Sequence, residues 1–207
     1  GLAYSSLGSL YEQQQVRDSA YYFYKLALKD CEKSGNQAYL PNAYINIGES
    51  ELGRHNDQNG LEYFQKALEI ANTTENKQAQ ASALLAIGRW QLNHKHRTEA
   101  LHYFQKAHQI SEVLSDKLFE IMAVEALIEF NEKEKNYFEM SRLQKRLIFL
   151  KDQLHSLERE KIVKSLEMQF EVAEKNRKLA LVSKEKEVAR LTNYLLAICI
   201  IVLLTAL

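Results

Sequence analysis

The stretch Leu61-Glu62-Tyr63-Phe64-Gln65-Lys66-Ala67 returns forty residues later as Leu101-His102-Tyr103-Phe104-Gln105-Lys106-Ala107, changed only at its second residue. A phrase repeated at a fixed offset marks a chain built from copies of one supersecondary unit, none of which buries its apolar face alone. The same offset links Gly8, Gly48 and Gly88, then Leu7, Ile47, Ile87 and Leu127, then Ala27, Ala67 and Ala107. Tyr24, Phe64 and Phe104 form an aromatic column, and Ala20, Gly60 and Ala100 a column of small residues. Apolar residues fall three and four apart, the period of a helix with one buried face. One proline and seven glycines in 207 residues suit long helices and short connections. Small residues matter because two helix axes approach closely only where a side chain is nearly absent and a bulky one opposite fills the gap.

Within a unit, Leu or Ile stands at position seven, Gly at eight, a small residue at twenty, an aromatic ring at twenty-four and Ala at twenty-seven. This pattern resembles the tetratricopeptide repeat (TPR), which implies antiparallel helix pairs stacked into a superhelix. The usual unit is about thirty-four residues, so the longer period implies longer helices or connections. The fourth unit departs from the pattern, with Ile128, Met140 and Leu147 at the small positions. A HEAT-type array would not place these columns, and a propeller would show strand periodicity and Gly-rich turns. The fold class is therefore all-α, a TPR-like helix-pair superhelix.

Units are expected to start near residues 1, 41, 81 and 121, making an array over 1–140. Arg17-Asp18-Ser19 offers turn and capping chemistry inside the first unit, Gly35 a helix stop at its end, and Pro41 a first-turn residue in the second. Breaks are expected at Asn56-Asp57, Asn93 to His96, and Lys135-Asn136. From 141 to 193 the turn signals cease, and one long connecting helix is predicted. Leu143, Leu147, Leu150, Leu154 and Leu157 follow a spacing suited to a partner helix. Charged pairs Glu160–Lys164, Glu171–Lys175 and Glu174–Lys178 then dominate. Two readings stay open: a parallel homodimeric coiled coil through 143–190, or a solvated helix whose first part caps the last repeat.

Residues 194–207 carry no charge and number fourteen, fewer than the roughly twenty apolar residues a spanning helix needs. They follow a highly charged helix, with Arg190, Thr192, Asn193 and Tyr194 as an interfacial flank. This stretch is expected to be the start of a transmembrane helix, truncated where the chain stops. The chain opens at Gly1, inside a unit already in register, so a fragment is expected.

Several function classes find no residues here. Formal net charge is zero, with 27 basic and 27 acidic residues, so nothing invites nucleic acid. No phosphate-cradling loop, nucleophile elbow or metal motif is present. His94, His96, His102 and His108 lie close in sequence but lack acidic or cysteine partners at ligand spacing. We expect no catalytic residue, no metal and no cofactor in this segment.

What the array offers is a surface. By the register that the resemblance implies, positions two, five, nine, twelve and thirteen of each unit face the inside of the superhelix. The concave-face candidates are Asn42, Ile45, Glu49, Ser82, Leu85, Arg89, Asn93 and Glu125, extended by Ser5, Ser9 and Glu12 in the first unit. A mixed polar lining with a few apolar spots suits a peptide or protein ligand. Trp90 belongs either to this groove or to the core.

Repeats, a charged helix and an apolar segment together resemble the N-terminal sensory region of membrane-anchored TPR signalling proteins of the Bacteroidetes type. In that family the output beyond the membrane is a histidine kinase or a helix-turn-helix domain. The resemblance implies a bacterial inner-membrane protein with periplasmic repeats, relaying ligand state through the connecting helix. The alternative is a membrane-tethered or soluble TPR scaffold with no output domain.

Overall fold

The computed structural model describes the backbone of residues 1–205 and the side chains of residues 1–193. The described residues form eight helices: α1 (Leu2–Gln13), α2 (Arg17–Ser34), α3 (Leu40–Gly53), α4 (Asp57–Thr73), α5 (Lys77–Asn93), α6 (Arg97–Leu114), α7 (Lys117–Lys133) and α8 (Tyr137–Thr205). Each of the first seven packs on its neighbour in sequence, and α5 also touches α3 and α7. The first helices of the units therefore form one layer and the second helices another, as expected of a helix-pair superhelix.

Turn chemistry differs from the sequence expectation. α2 begins at Arg17 after Val16, which makes no side-chain cap, so Arg17-Asp18-Ser19 lies inside the helix rather than in the turn. Side-chain caps come instead from Asn76, which accepts from the Ala79 amide at 3.0 Å, and from Asp116, which accepts from Leu118 at 3.0 Å. The stops are left-handed residues at two fixed registers: Gln15, His55, Lys95 and Lys135 within units, and Gly35, Glu75 and Ser115 between them. At Gln15, Gly35, His55, Glu75, Lys95 and Lys135 the following amide reaches back five residues to a carbonyl, as Asn56 does to Glu51 at 3.0 Å. That bond closes the helix end in a Schellman turn. Gly35 is the stop that glycine chemistry foretold, and Pro41 sits in the first turn of α3 as anticipated. Only the αL conformation, not the residue type, is repeated at the others. His55→Gly is therefore expected to raise stability by about 0.5–1 kcal/mol in chemical denaturation, because a Cβ is strained at its φ of 65°. A loss of stability would show that the imidazole contributes more than the strain costs.

The core is a stack of similar layers. Tyr24, Phe64 and Phe104 are 3%, 1% and 0% exposed, and each ring lies over the glycine of its own unit, Gly8, Gly48 or Gly88. Ala27, Ala67 and Ala107, on the same helices as those rings, are fully buried. Trp90 is a core residue: it is buried among Leu61, Phe64 and Ile87, and its indole N–H donates to the Asp57 carbonyl at 2.9 Å.

Unit four keeps the layout with different contacts. Its second helix is the start of α8, which begins at Tyr137 rather than at 141, and the compact array runs to Leu154 rather than to 140. Leu143 and Leu150 are buried with Ile121 and Val124, and Leu147 and Leu154 pack beside them. Ile128 fits at the glycine position because Gln144, not a ring, stands at position twenty-four. The leucine stripe thus finds its partner in α7 of the same chain. This agrees with the reading in which the first part of the helix caps the last repeat; a homodimer through 143–190 gains no support from it, and Ile148 and Phe149 stay exposed on the other side.

In the second unit, from His155 on, the described backbone is the continuation of α8 to Thr205. Every described side chain from 155 to 193 is exposed. Glu160–Lys164 and Glu174–Lys178 close at 2.6 and 2.7 Å, whereas the expected Glu171–Lys175 pair does not. Among the described residues no helix is long and apolar enough to cross a membrane. The expected transmembrane start at 194–207 is not supported by this structure, and the side chains of that stretch lie outside the described residues.

Candidate functional site

Position nine of the first helices is where charge collects. It holds Ser9, Glu49, Arg89 and Glu129 in successive units. One helical turn along α1 stands Glu12, and the serines of α1 lie on the same face. Ser5, Ser9, Glu12 and Glu49 line an open hollow of about 560 Å³, together with Asn46 and Tyr24. Water reaches Glu49, yet the surrounding helices crowd it on several sides. That enclosure, and next the charge of Glu12, pushes its carboxyl above the usual range, while Arg89 pulls the other way. Tyr24 donates its hydroxyl to Glu12 Oε2 at 2.7 Å. Burial first, and that bond second, push the phenol well above its ordinary value, so it remains a donor. The hollow thus presents two carboxylates, with hydroxyl and amide groups around them and a guanidinium further along the same column.

The sequence candidates separate into groups. Glu49 belongs to this hollow, and Arg89 is near enough to act on its titration. Asn42 is exposed on the same helix and lines a neighbouring hollow with Ser5 and Asn46. Ser82 is half-buried at the register expected of it. Ile45 and Leu85 are corrections. They are 7% and 1% exposed and lie in core clusters, since position five turns inward wherever it carries an aliphatic side chain. Asn93 is exposed and accepts from Lys133 Nζ at 3.2 Å. Glu125 is exposed but pairs with Lys151 of α8 at 2.9 Å, so its charge ties unit four together. Asn46 and Tyr24 were not singled out from the sequence. Tyr24 was read only as a core ring, although the hydroxyl that Phe64 and Phe104 lack was the visible hint. Among the described residues no group of three or more His, Cys, Asp or Glu side chains could hold a metal ion.

The architecture defines an α-helical repeat protein with a lined inner layer. The tetratricopeptide-repeat family model matches residues 39–112, and that stretch carries tetratricopeptide repeats. Among solved structures, BtubC (BKLC) from P. vanneervenii is similar at 19% identity and TM-score 0.60, covering 73% of this chain and 63% of that one. The apo form of RapI matches at 17% identity and TM-score 0.62, covering 72% and 55%. A Rap protein complexed with Competence and Sporulation Factor matches at 20% identity and TM-score 0.65, covering 71% and 41%. At these identities the likeness is one of fold, and this chain spans less than two thirds of each of those proteins. No curated protein matches the chain.

Proposed function

We propose that the repeats bind a peptide or protein along the layer of first helices and act as the input module of a membrane-anchored signalling protein. The observation that carries this reading is the crowded but water-accessible Glu49, with Glu12 beside it and Arg89 opposing it. A carboxylate that sits beside a second carboxylate gains by meeting a cationic or hydrogen-bond-donating ligand group. The Rap protein bound to Competence and Sporulation Factor has the same fold and gives a precedent for ligand binding on it. Transmission through the helix past Leu154, anchoring through the uncharged stretch 194–207 and placement of the repeats in a bacterial periplasm belong to this reading. A homodimer would use the exposed apolar residues beyond 154, such as Ile162, Leu166 and Phe170. Ligand binding shifts such a helix only if its two arrangements bind ligand differently.

The test is a peptide selection on the full chain, followed by titration of the selected peptides against Glu49→Ala and Arg89→Ala. Each variant is expected to keep its helicity and to weaken binding about tenfold or more. Unchanged affinity in both would remove the groove from the site. The scaffold reading, with partners recruited but nothing relayed, is favoured if ligand leaves the helix beyond 154 unaltered in spin-label distances.

A further inference from the structure

A second cavity, of about 680 Å³, opens between α6 and the start of α8 over the flank of α7. Its apolar part comes from Leu101, Leu127, Phe130 and Leu143, and Gln105 and Asn131 line it as well. None of the concave-face candidates contributes to it.

The repeat register explains why this space exists. Position twenty-three carries Phe23, Tyr63 and Tyr103, and then Leu143. In unit three Tyr103 packs against a core cluster that includes Leu61 of the preceding second helix and Ile87 and Trp90 of its own first helix. Forty residues on, those three become Leu101, Leu127 and Phe130, which are apolar walls of the cavity. One unit earlier Tyr63 packs against the cluster of α2 and α3, which includes Ile47 at the register of Ile87, and stacks on Tyr44 at 6.1 Å. The cavity therefore lies where a position-twenty-three ring sits in the two preceding units, and it is open because Leu143 supplies no ring.

We propose that this cavity receives an aromatic side chain from a partner polypeptide, which takes the place of the missing ring. Its size lies in the range of pockets that hold ligands, and aromatic anchors in such pockets dominate many interfaces. Charge does not define the occupant. Arg142 is engaged by Glu139, with Nε donating to Oε2 at 3.0 Å, and His108 faces Glu112 at 3.6 Å. What remains at the rim is amide: Gln105, and Asn131, which is 6% exposed and donates to the Leu127 carbonyl at 2.8 Å. Amides of this kind suit the main chain flanking an anchor residue.

The test uses three capped tripeptides, acetyl-Gly-Tyr-Gly-amide and its Phe and Leu analogues, with p-cresol as the bare ring. Binding to the full chain is read from methyl NMR of Leu101, Leu127 and Leu143. The aromatic peptides are expected to shift these methyls and to bind about tenfold tighter than the Leu peptide. Equal affinity for the three peptides, or no shift with any, would overturn the proposal. So would p-cresol binding as tightly as the Tyr peptide, since the occupant would then be a free small molecule. Leu143→Tyr supplies the ring from within. It is expected to abolish peptide binding at this site without lowering Tm, and a lowered Tm would show that the space is not shaped for a ring.

Discussion

Gly48→Ala is expected to destabilise the array by about 3 kcal/mol, although alanine is the better helix former by about 1 kcal/mol. Gly48 lies inside α3, where propensity alone predicts a gain. A Cβ there would stand 2.5 Å from Phe64 Cε1 and 3.0 Å from the Gly60 carbonyl oxygen. The second contact is the more severe, because it is to backbone and no rotamer relieves it. Gly88 differs in that its three nearest neighbours are side-chain atoms, with Phe104 Cε1 at 2.5 Å and Tyr103 Cβ at 3.2 Å. Gly53 serves as the control, since a Cβ there would meet only the Arg17 side chain at 3.8 Å. Urea denaturation of the three alanine variants is therefore expected to show a large loss at Gly48, a smaller one at Gly88, and no loss or a gain of up to about 1 kcal/mol at Gly53. Trimming the ring should relieve Gly88→Ala more than Gly48→Ala, read as a double-mutant coupling with Phe104→Leu and Phe64→Leu respectively. Equal losses at Gly48 and Gly53 would mean that the helices do not approach as closely as the small-residue columns imply.

That contrast also shows what could be read without coordinates. A glycine repeated at forty-residue spacing opposite a repeated ring reports a close approach, and Gly8, Gly48 and Gly88 occupy the places their columns assigned. Helix pairing was legible for the same reason, because each unit repeats the whole pattern and errors at one copy are corrected by the others. Helix stops were less legible, since Gln15, His55, Lys95 and Lys135 share a backbone conformation but no side-chain chemistry. The groove was legible as a face and less so as residues. At position nine Glu49 and Arg89 remain accessible, but at position five Ile45 and Leu85 follow their hydrophobicity into the core. Least legible was the fourth unit. Its leucine stripe has the spacing of an intermolecular seam, and spacing does not say whether the partner is α7 or a second chain. The cavity beside Leu143 was invisible for a related reason: a missing ring shows only when its neighbours' contacts are known.

Arg146→Ala is expected to cost about 3 kcal/mol at pH 7, by leaving a buried charge with Lys117 as its remaining charged partner. Glu120 is 3% exposed in α7, and Arg146 of α8 donates to it through Nε at 3.1 Å and also through Nη2. Lys117 Nζ donates to the other oxygen at 3.3 Å. Burial alone would push the Glu120 carboxyl up. The hydrogen bonds and charges of Arg146 and Lys117 outweigh it and hold the group below the usual range. A carboxyl with a depressed folded-state value contributes stability above its unfolded value, near pH 4, and loses it as pH falls through the folded value. Without Arg146 the burial contribution gains ground, so the gap between variant and parent should be widest at neutral pH and narrow in acid. Arg146 also lies 5.6 Å from the Phe149 ring centroid, so part of any loss comes from packing. Glu120→Leu separates the two. Leu40 occupies the same register in the second unit, so the position accepts an aliphatic side chain there, and Lys117 is open enough to turn to solvent. In the Glu120→Leu background, Arg146→Ala should cost less than about 1 kcal/mol. If it costs as much as in the parent, or if the loss does not depend on pH, the ion pair is not what fixes the start of α8 to the array. The Arg146 stem and its ring contact would then carry the effect.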